Sequence, residues 1–333
     1  MPKVSIIVPV FNCAPYIEDC LASLTTQTET DIEMIVVDDG SRDGSLEIVA
    51  RLAAKDIRIS ILSFPSNSGF PGFARNQGIA RASGQYIAFL DGDDLYHPRK
   101  IESVVSAFER LPDVNVVFHD VVRFWGTPGP DTNTSFLTNA RFIERAAEHL
   151  TKGSHGLYRC NGSLYRFASL HFVPCHTSSI VVRRDALLSE RIWFPEVKSG
   201  EDGDLWFRLL KNQPFAFINE ALSYYRQRPG SITSDQAQYL LGSIQVHKDN
   251  LKRGEGIFSK RDESLYQSKI ADFLFNLGYQ QFRALKTREA REAYGEALRL
   301  DFRIPYIIGY LKTFVSPAVV AQYRRFVEAS NAD

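Results

Sequence analysis

The chain has 333 residues, 44% of them apolar and 23% charged, with 39 Lys plus Arg against 39 Asp plus Glu. That length suits one large α/β domain plus an extension, and that apolar share supports a sizeable core. The balanced charge excludes the basic footprint of a nucleic-acid binder, so function has to come from local sites.

The N-terminus, MPKVSIIVPVFN, carries one Lys and a short apolar run that turns polar, without the length or small-residue cleavage site of a signal peptide. The four cysteines, Cys13, Cys20, Cys160 and Cys175, form no C-x-x-C pair and read as reduced thiols of a cytoplasmic chain. In that setting Asn161-Gly-Ser matches a glycosylation acceptor by chance. No apolar run reaches the roughly 18 residues of a membrane span.

VSIIVPV (4–10), MIVVD (34–38), IRISIL (57–62), YIAFL (86–90) and NVVF (115–118) are short β-branched runs. Several are apolar at nearly every position, as strands covered on both faces are. Between them, PYIEDCLASLTTQ, SLEIVARLAAK and HPRKIESVVSAFERL place apolar residues on one helical face, with Pro15 and Pro98 in or near first turns. The alternation predicts a right-handed βαβ-type open sheet over the first 120 or so residues. Residues 126–139 read as a loop, 140–151 as a helix, 178–184 as a strand and GEDGDLWFRLLK (200–211) as the start of a helix. FAFIN and LSYYRQ then close the first domain as two strands, and a boundary is expected near 232/233.

Beyond it the pattern is helical. IADFLFNLGYQQFRAL followed by TREAREAYGEALRLD resembles one tetratricopeptide-like helix pair, with Ala290, Tyr294, Ala297 and Leu298 at the expected spacing. One repeat cannot bury its own face, so it is expected to pack on the rest of the chain, a partner or a second copy. IPYIIGYLKTFVSPAVV (304–320), broken by Lys312 and Pro317, is either a core helix or a helix on a membrane surface, with Lys312, Arg324 and Arg325 near headgroups.

Three carboxylates, Asp91, Asp93 and Asp94, crowd into FLDGDDLYHP directly after a strand. Ligands of open α/β sheets bind at the carboxyl ends of strands, and hard oxygen donors suit Mg²⁺ or Mn²⁺ bridging to a diphosphate. The alternative is a solvated turn with Asp94 capping the next helix. The cluster is accompanied, in order and spacing, by VSIIVPVFN, IVVDDGSRDGS, NSGFPGFARNQGIARASGQYIAFLDGDDLYHP and GEDGDLWFRL. Together these resemble the family 2 glycosyltransferases of GT-A fold over residues 3–230.

The resemblance implies a GT-A, mostly parallel α/β sheet flanked by helices, a nucleotide-sugar donor, a divalent metal (Mn²⁺ or Mg²⁺) and inversion at the anomeric carbon. It implies that Pro9 and Phe11 line the nucleobase pocket, that Asp39 accepts the uracil imide N–H and that Asn67 meets the base edge. Arg75 would face the phosphates, Asp91 the ribose or metal region, and Asp93 would ligate the metal, while Asp94 is expected to cap the following helix. Asp38 and the Gly40–Ser41 turn read as local structure, with Ser41 or Asp43 capping a helix. Transfer also needs a carboxylate that takes the proton of an acceptor hydroxyl. The family pattern puts this base at Asp202, with Glu201 the runner-up. YYRQRPGSIT departs from the family pattern: Arg228 stands where a histidine is frequent, and arginine cannot ligate a metal. Arg226 and Arg228 are therefore expected on the diphosphate, with a loop closing over the donor. His176 reads as either a structural or a catalytic histidine. Trp125, Trp193 and Trp206 are candidate sugar platforms, Trp206 fitting core packing better.

The expected activity is transfer from a nucleotide-sugar, with UDP as the carrier, to a glycan or lipid-linked saccharide, as in bacterial surface polysaccharide synthesis. The expected place is the cytoplasm, with peripheral contact at the inner membrane face. Rival readings are a sugar-nucleotide nucleotidyltransferase and a non-catalytic nucleotide-sugar-binding scaffold.

Overall fold

In a computed structural model, residues 1–126, 135–189, 193–228 and 235–315 are described. They fall into two compact units, Met1–Pro229 and Gly230–Asp333.

The first unit is built on a ten-stranded sheet in the order β3-β2-β1-β4-β9-β6-β10-β8-β7, with β5 added on β10. The leading strands are β1 (Val4–Val10), β2 (Ile32–Asp38), β3 (Ile59–Ser63) and β4 (Tyr86–Phe89). They pair in parallel, with Val10 opposite Asp38 and Ile7 opposite Phe89. This register brings the ends of β1, β2 and β4 to one edge. β5 is Leu95–Tyr96, β6 Val116–Phe124, β7 Leu150–Lys152, β8 Leu157–Cys160, β9 Ile180–Arg183 and β10 Phe215–Arg226. β6 and β10 run parallel to each other, while β9 lies antiparallel between β4 and β6.

Helices α1 (Ile17–Thr25), α2 (Ser45–Ala53), α3 (Pro71–Arg81) and α4 (Lys100–Arg110) cover the sheet. α1 buries Ile17, Cys20, Leu21 and Leu24, the spacing of a single helical face. It begins two residues after Pro15, because the Tyr16 and Ile17 amides both bond to the Cys13 carbonyl. α4 buries Ile101, Val104, Val105 and Phe108 as its pattern predicts. The strand residues Val4, Ile6, Val8, Met34 and Val36 join these side chains in one core. Each such fully buried aliphatic side chain contributes about 1.5–3 kcal/mol over its exposed state.

α3 was not anticipated as a helix, since its glycines dilute any apolar period; Pro71 stands at its start, where a missing N–H costs nothing. A short helix, α5 (Phe136–Asn139), occupies the end of the segment expected as a loop, and the helix expected over 140–151 is instead one short helix, α6 (Phe142–Arg145), a 3₁₀ turn and the start of β7. Arg141, left-handed at φ 52°, breaks the run. Buried Asp120 anchors α5 by accepting from the Leu137 amide at 2.7 Å and the Thr138 amide at 2.9 Å. Most of the 126–139 loop lies outside the described residues. FAFIN and LSYYRQ form one strand, β10, irregular between Ile218 and Ser223, rather than two. The unit is completed by α7 (Leu164–Leu170), α8 (Arg184–Ser189) and α9 (Glu201–Asn212).

The second unit contains α10 (Gln236–Arg253), α11 (Lys260–Arg283), α12 (Thr287–Leu300) and α13 (Ile304–Lys312). The helix pair anticipated from the repeat-like spacing is α11 and α12. α10 and α13 supply the cover that it lacks, with Leu240, Ile244, Leu274, Ala297 and Tyr306 in one core. A Cβ on Gly278 or Gly309 would come within 2.9 or 2.7 Å of the Tyr294 ring, so both glycines allow close approach of α11 and α13 to it. Pro317, Arg324, Arg325 and the expected boundary at 232/233 lie outside the described residues.

Candidate functional site

The ends of β1 and β2 are sewn together by side chains. Asn12, left-handed at φ 53°, accepts from the Arg42 amide at 2.9 Å, and its own amide donates to Ser41 Oγ at 2.9 Å. Asp38 accepts from the Ser41 amide, as a local turn residue. Asp43, not Ser41, reaches the start of α2, accepting from the Ser45 amide at 3.1 Å, and it also accepts from the Ala14 amide, ahead of α1, at 2.9 Å. Pro9 stands at the end of β1, its carbonyl close to Gly92, and the Phe11 ring beyond it is 44% exposed. Asp39 is buried and accepts from the Ser68 amide at 3.0 Å and hydroxyl at 2.7 Å, which fixes the carboxylate's plane. Asn67, next in chain to Ser68, accepts from the Gly69 amide at 2.5 Å.

The acid turn follows β4. Arg75, on α3, donates to Asp91 Oδ1 at 2.6 Å and to Glu201 Oε1 at 3.0 Å. Burial opposes the charge of Arg75, but Asp91 and Glu201 outweigh it and hold the guanidinium above its ordinary value. Asp93 accepts from Arg228 Nε at 2.6 Å. Arg226 is buried; its Nε donates to the Asp93 carbonyl at 2.9 Å, its Nη1 to the Gly126 carbonyl at 2.9 Å, and its Nη2 lies 3.5 Å from Asp19. Its guanidinium also sits over the Tyr16 and Phe124 rings.

Asp94 does not cap α4, which starts six positions later, after β5. It is fully buried, accepting from Ser178 Oγ at 2.6 Å and from the Arg226 amide at 3.0 Å. Burial, with Asp91 and Asp93 alongside, pushes its carboxyl well up. Buried Lys100 donates to the Ser178 carbonyl at 2.7 Å and lies 3.2 Å from the Tyr96 ring centroid, its ammonium pushed well down by the same desolvation.

GEDGDLWFRL opens α9 behind Gly200, left-handed at φ 84°. The first residue, Glu201, is buried against Arg75. Burial and the neighbouring Asp202 push its carboxyl up to about 7, against the pull of Arg75. Asp202 accepts from the Gly203 amide at 2.7 Å. Asp204 pairs with Arg208 along the helix at 2.8 Å. Acids at a helix N-terminus are favoured by the helix dipole, so this placement costs little.

Arg75, Asp91, Glu201 and Asp202 thus form one cluster, and Asp93 with Arg226 and Arg228 a second beside it along the same turn. His176 is half-buried, with the charges of Asp91, Asp202 and Arg75 acting on its ring; its Nδ1 accepts from the Ser178 amide at 3.2 Å, and its ring packs on Tyr225 at 4.5 Å. Trp206 is core, Trp193 half-buried and Trp125 72% exposed. Ser68, Ser178 and Tyr16 were not singled out in the sequence. Their partners lie far away in the chain, and no local spacing marks them.

Two acids of one turn, Asp91 and Asp93, with side chains 26% and 17% exposed, offer hard oxygen donors of the kind that hold Mg²⁺ or Mn²⁺ together with ligand phosphates. No group of three or more His, Cys, Asp or Glu placed to hold a metal occurs among the described residues. A set of two carboxylates completed by a diphosphate and water fits such an ion.

Residues 5–173 match the family model "Glycosyl transferase family 2". An uncharacterized glycosyltransferase of Haemophilus influenzae is 43% identical over 256 residues, covering 76% of this chain and 91% of the relative. The putative teichuronic acid biosynthesis glycosyltransferase TuaG of Bacillus subtilis is 32% identical over 238 residues, covering 71% and 83%. The chain spans 46% of the length of an uncharacterized glycosyltransferase of Rickettsia conorii that it matches at 28% identity. Among solved structures, S. aureus TarS 1-349 in complex with UDP-GlcNAc superposes with TM-score 0.64 at 20% identity, over 97% of this chain and 92% of that one. The mannosyltransferase PcManGT from Pyrobaculum calidifontis, in complex with GDP-Man and Mn²⁺, gives 0.55 at 18%, over 98% and 83%. These structures share the mixed α/β architecture, with parallel strands flanked by helices, that the motifs imply. The chain belongs to glycosyl transferase family 2.

Proposed function

We propose that this glycosyltransferase inverts the anomeric centre of a UDP-sugar as it transfers the sugar to a hydroxyl of a glycan or lipid-linked saccharide in surface polysaccharide synthesis. The observation that carries the reading is the Arg75–Asp91–Glu201 network at the N-terminus of α9, with Asp202 beside it.

Glu201 is committed to Arg75, which leaves Asp202 to take the proton of the attacking hydroxyl. Arg75 is held by two acids at the place where the phosphates would lie, so its donors are oriented before the donor arrives. Asp93, with Asp91 on the ribose side, would hold a divalent cation, which supplies positive charge to the leaving diphosphate when bound. Asp39, held by Ser68, is oriented to accept from the uracil imide, with Asn67 at the base edge and Pro9 and Phe11 lining the pocket. TarS carrying UDP-GlcNAc supports the uridine assignment. TuaG supports the surface-polysaccharide class of acceptor.

No helix among the described residues is long and apolar enough to cross a membrane. A cytoplasmic enzyme working at the membrane surface is supported by α13, which buries Tyr306 and Gly309 yet exposes Ile304, Ile308 and Leu311.

Asp202→Asn tests the assignment. Transfer should fall at least ~10³-fold, the scale of a lost general base with its positioning, while calorimetry finds UDP-sugar affinity within about 3-fold of wild type. A near wild-type rate would show that Asp202 is not the base.

A further inference from the structure

Asp93 and Arg228 carry a consequence for how cation and donor bind together. The guanidinium meets one carboxylate oxygen of Asp93 at 2.6 Å and lies 5.3 Å from the Tyr16 ring centroid. The two arginines at this strand end are not equivalent. Arg226 is spent on the Asp93 and Gly126 carbonyls, and its amide is spent on Asp94. Arg228, two residues on, has its side chain 24% exposed, and its charge is directed at the carboxylate that the cation would need. A guanidinium and a divalent cation at one carboxylate repel each other, and a mostly buried position screens that repulsion only in part. A nucleoside diphosphate offers the guanidinium a bidentate alternative.

We propose that Arg228 is the resident counter-ion of Asp93, exchanged for the divalent cation, and that it turns to the diphosphate as the donor binds. It thereby makes cation and nucleotide binding mutually dependent: the cation binds weakly to the donor-free site and tightly beside the diphosphate. By reciprocity the nucleotide gains from the cation by the same factor. The inference rests on the reading of the acid turn as a cation–diphosphate site.

The test is Mn²⁺ binding to the full chain, measured from the spin-resonance signal of free Mn²⁺, without nucleotide and then with saturating UDP. Arg228→Ala and the similarly long, uncharged Arg228→Gln should each bind Mn²⁺ alone about 10-fold tighter than wild type. The gain in Mn²⁺ affinity on adding UDP should shrink by a similar factor in both. Arg228→Lys, which keeps the charge, should stay close to wild type in Mn²⁺ alone, and Asp93→Asn should lose Mn²⁺ binding in both states. Unchanged or weaker Mn²⁺ binding by both uncharged variants overturns the counter-ion role, and a UDP effect intact in wild type then leaves the donor reading standing. Tighter Mn²⁺ binding by the variants with no UDP effect in wild type upholds the counter-ion role and removes the donor reading. Absence of Mn²⁺ binding in every variant and condition overturns both.

Discussion

At the scale of single residues, Glu201 is the acid whose surroundings most change its chemistry. Its ordinary value is 4.5, and burial next to Asp202 moves it to about 7 in the folded chain. A proton is therefore taken up on folding between those two values. The stability that this group supplies is fully present below 4.5 and is lost as pH rises through 7. Urea unfolding at pH 5 and pH 8 should show wild type losing about 1–3 kcal/mol more across the interval than Glu201→Gln. Equal losses would show that the carboxyl titrates in its usual range. The same residues show what the sequence reveals at this scale. Arg75, Asp91, Glu201 and Asp202 were found because each sits in a short motif at a strand or helix end. Asp94 was misassigned as a cap because the start of α4 lies on the far side of β5, which local spacing does not reveal. Ser68 and Ser178 were missed because a serine becomes a carboxylate's partner only through chain reversals 29 and 84 residues long.

Among the elements, α3 matters most for the site, because it carries Arg75. It lies close on β1: a Cβ added at Gly78 would sit 2.4 Å from Ile7 Cγ2 in the middle of that strand. Ile7 is fully buried and β-branched, so it has few rotamers with which to yield. Gly78→Ala should therefore cost about 1–3 kcal/mol by overpacking, read in urea unfolding. It should also lower kcat, as α3 shifts Arg75 away from Asp91 and Glu201. Stability unchanged from wild type would mean that β1 and α3 adjust freely. The leading parallel strands were legible as short β-branched runs, several apolar at nearly every position, and α1, α2 and α4 as apolar faces. α3, α7, β7 and β8 were not, since short or glycine-rich segments take their structure from the sheet that they pack on.

For the molecule as a whole, the two units differ in how they finish their surfaces. The sheet unit buries its apolar runs on both faces, whereas the helical unit leaves Phe302, Ile304, Ile308, Leu311 and Phe314 more than two-fifths exposed around α13. Replacing Ile308 and Leu311 together by Ser should leave the helical content by circular dichroism unchanged and lower cosedimentation with anionic vesicles several-fold. Undiminished cosedimentation would mean that this face does not meet lipid. Within the sheet unit, β5 follows the acid turn and pairs with β10, with Tyr96 opposite Ser223 and Leu95 opposite Tyr224. Asp94 binds the amide of Arg226 at the end of that same strand. Residues 91–96 and 223–228, more than a hundred positions apart, are consequently one transplantable part. A chimera that receives only the first segment from a relative inherits carboxylates without the strand end that neutralises them, so a change in the charge of this turn has to move both segments at once.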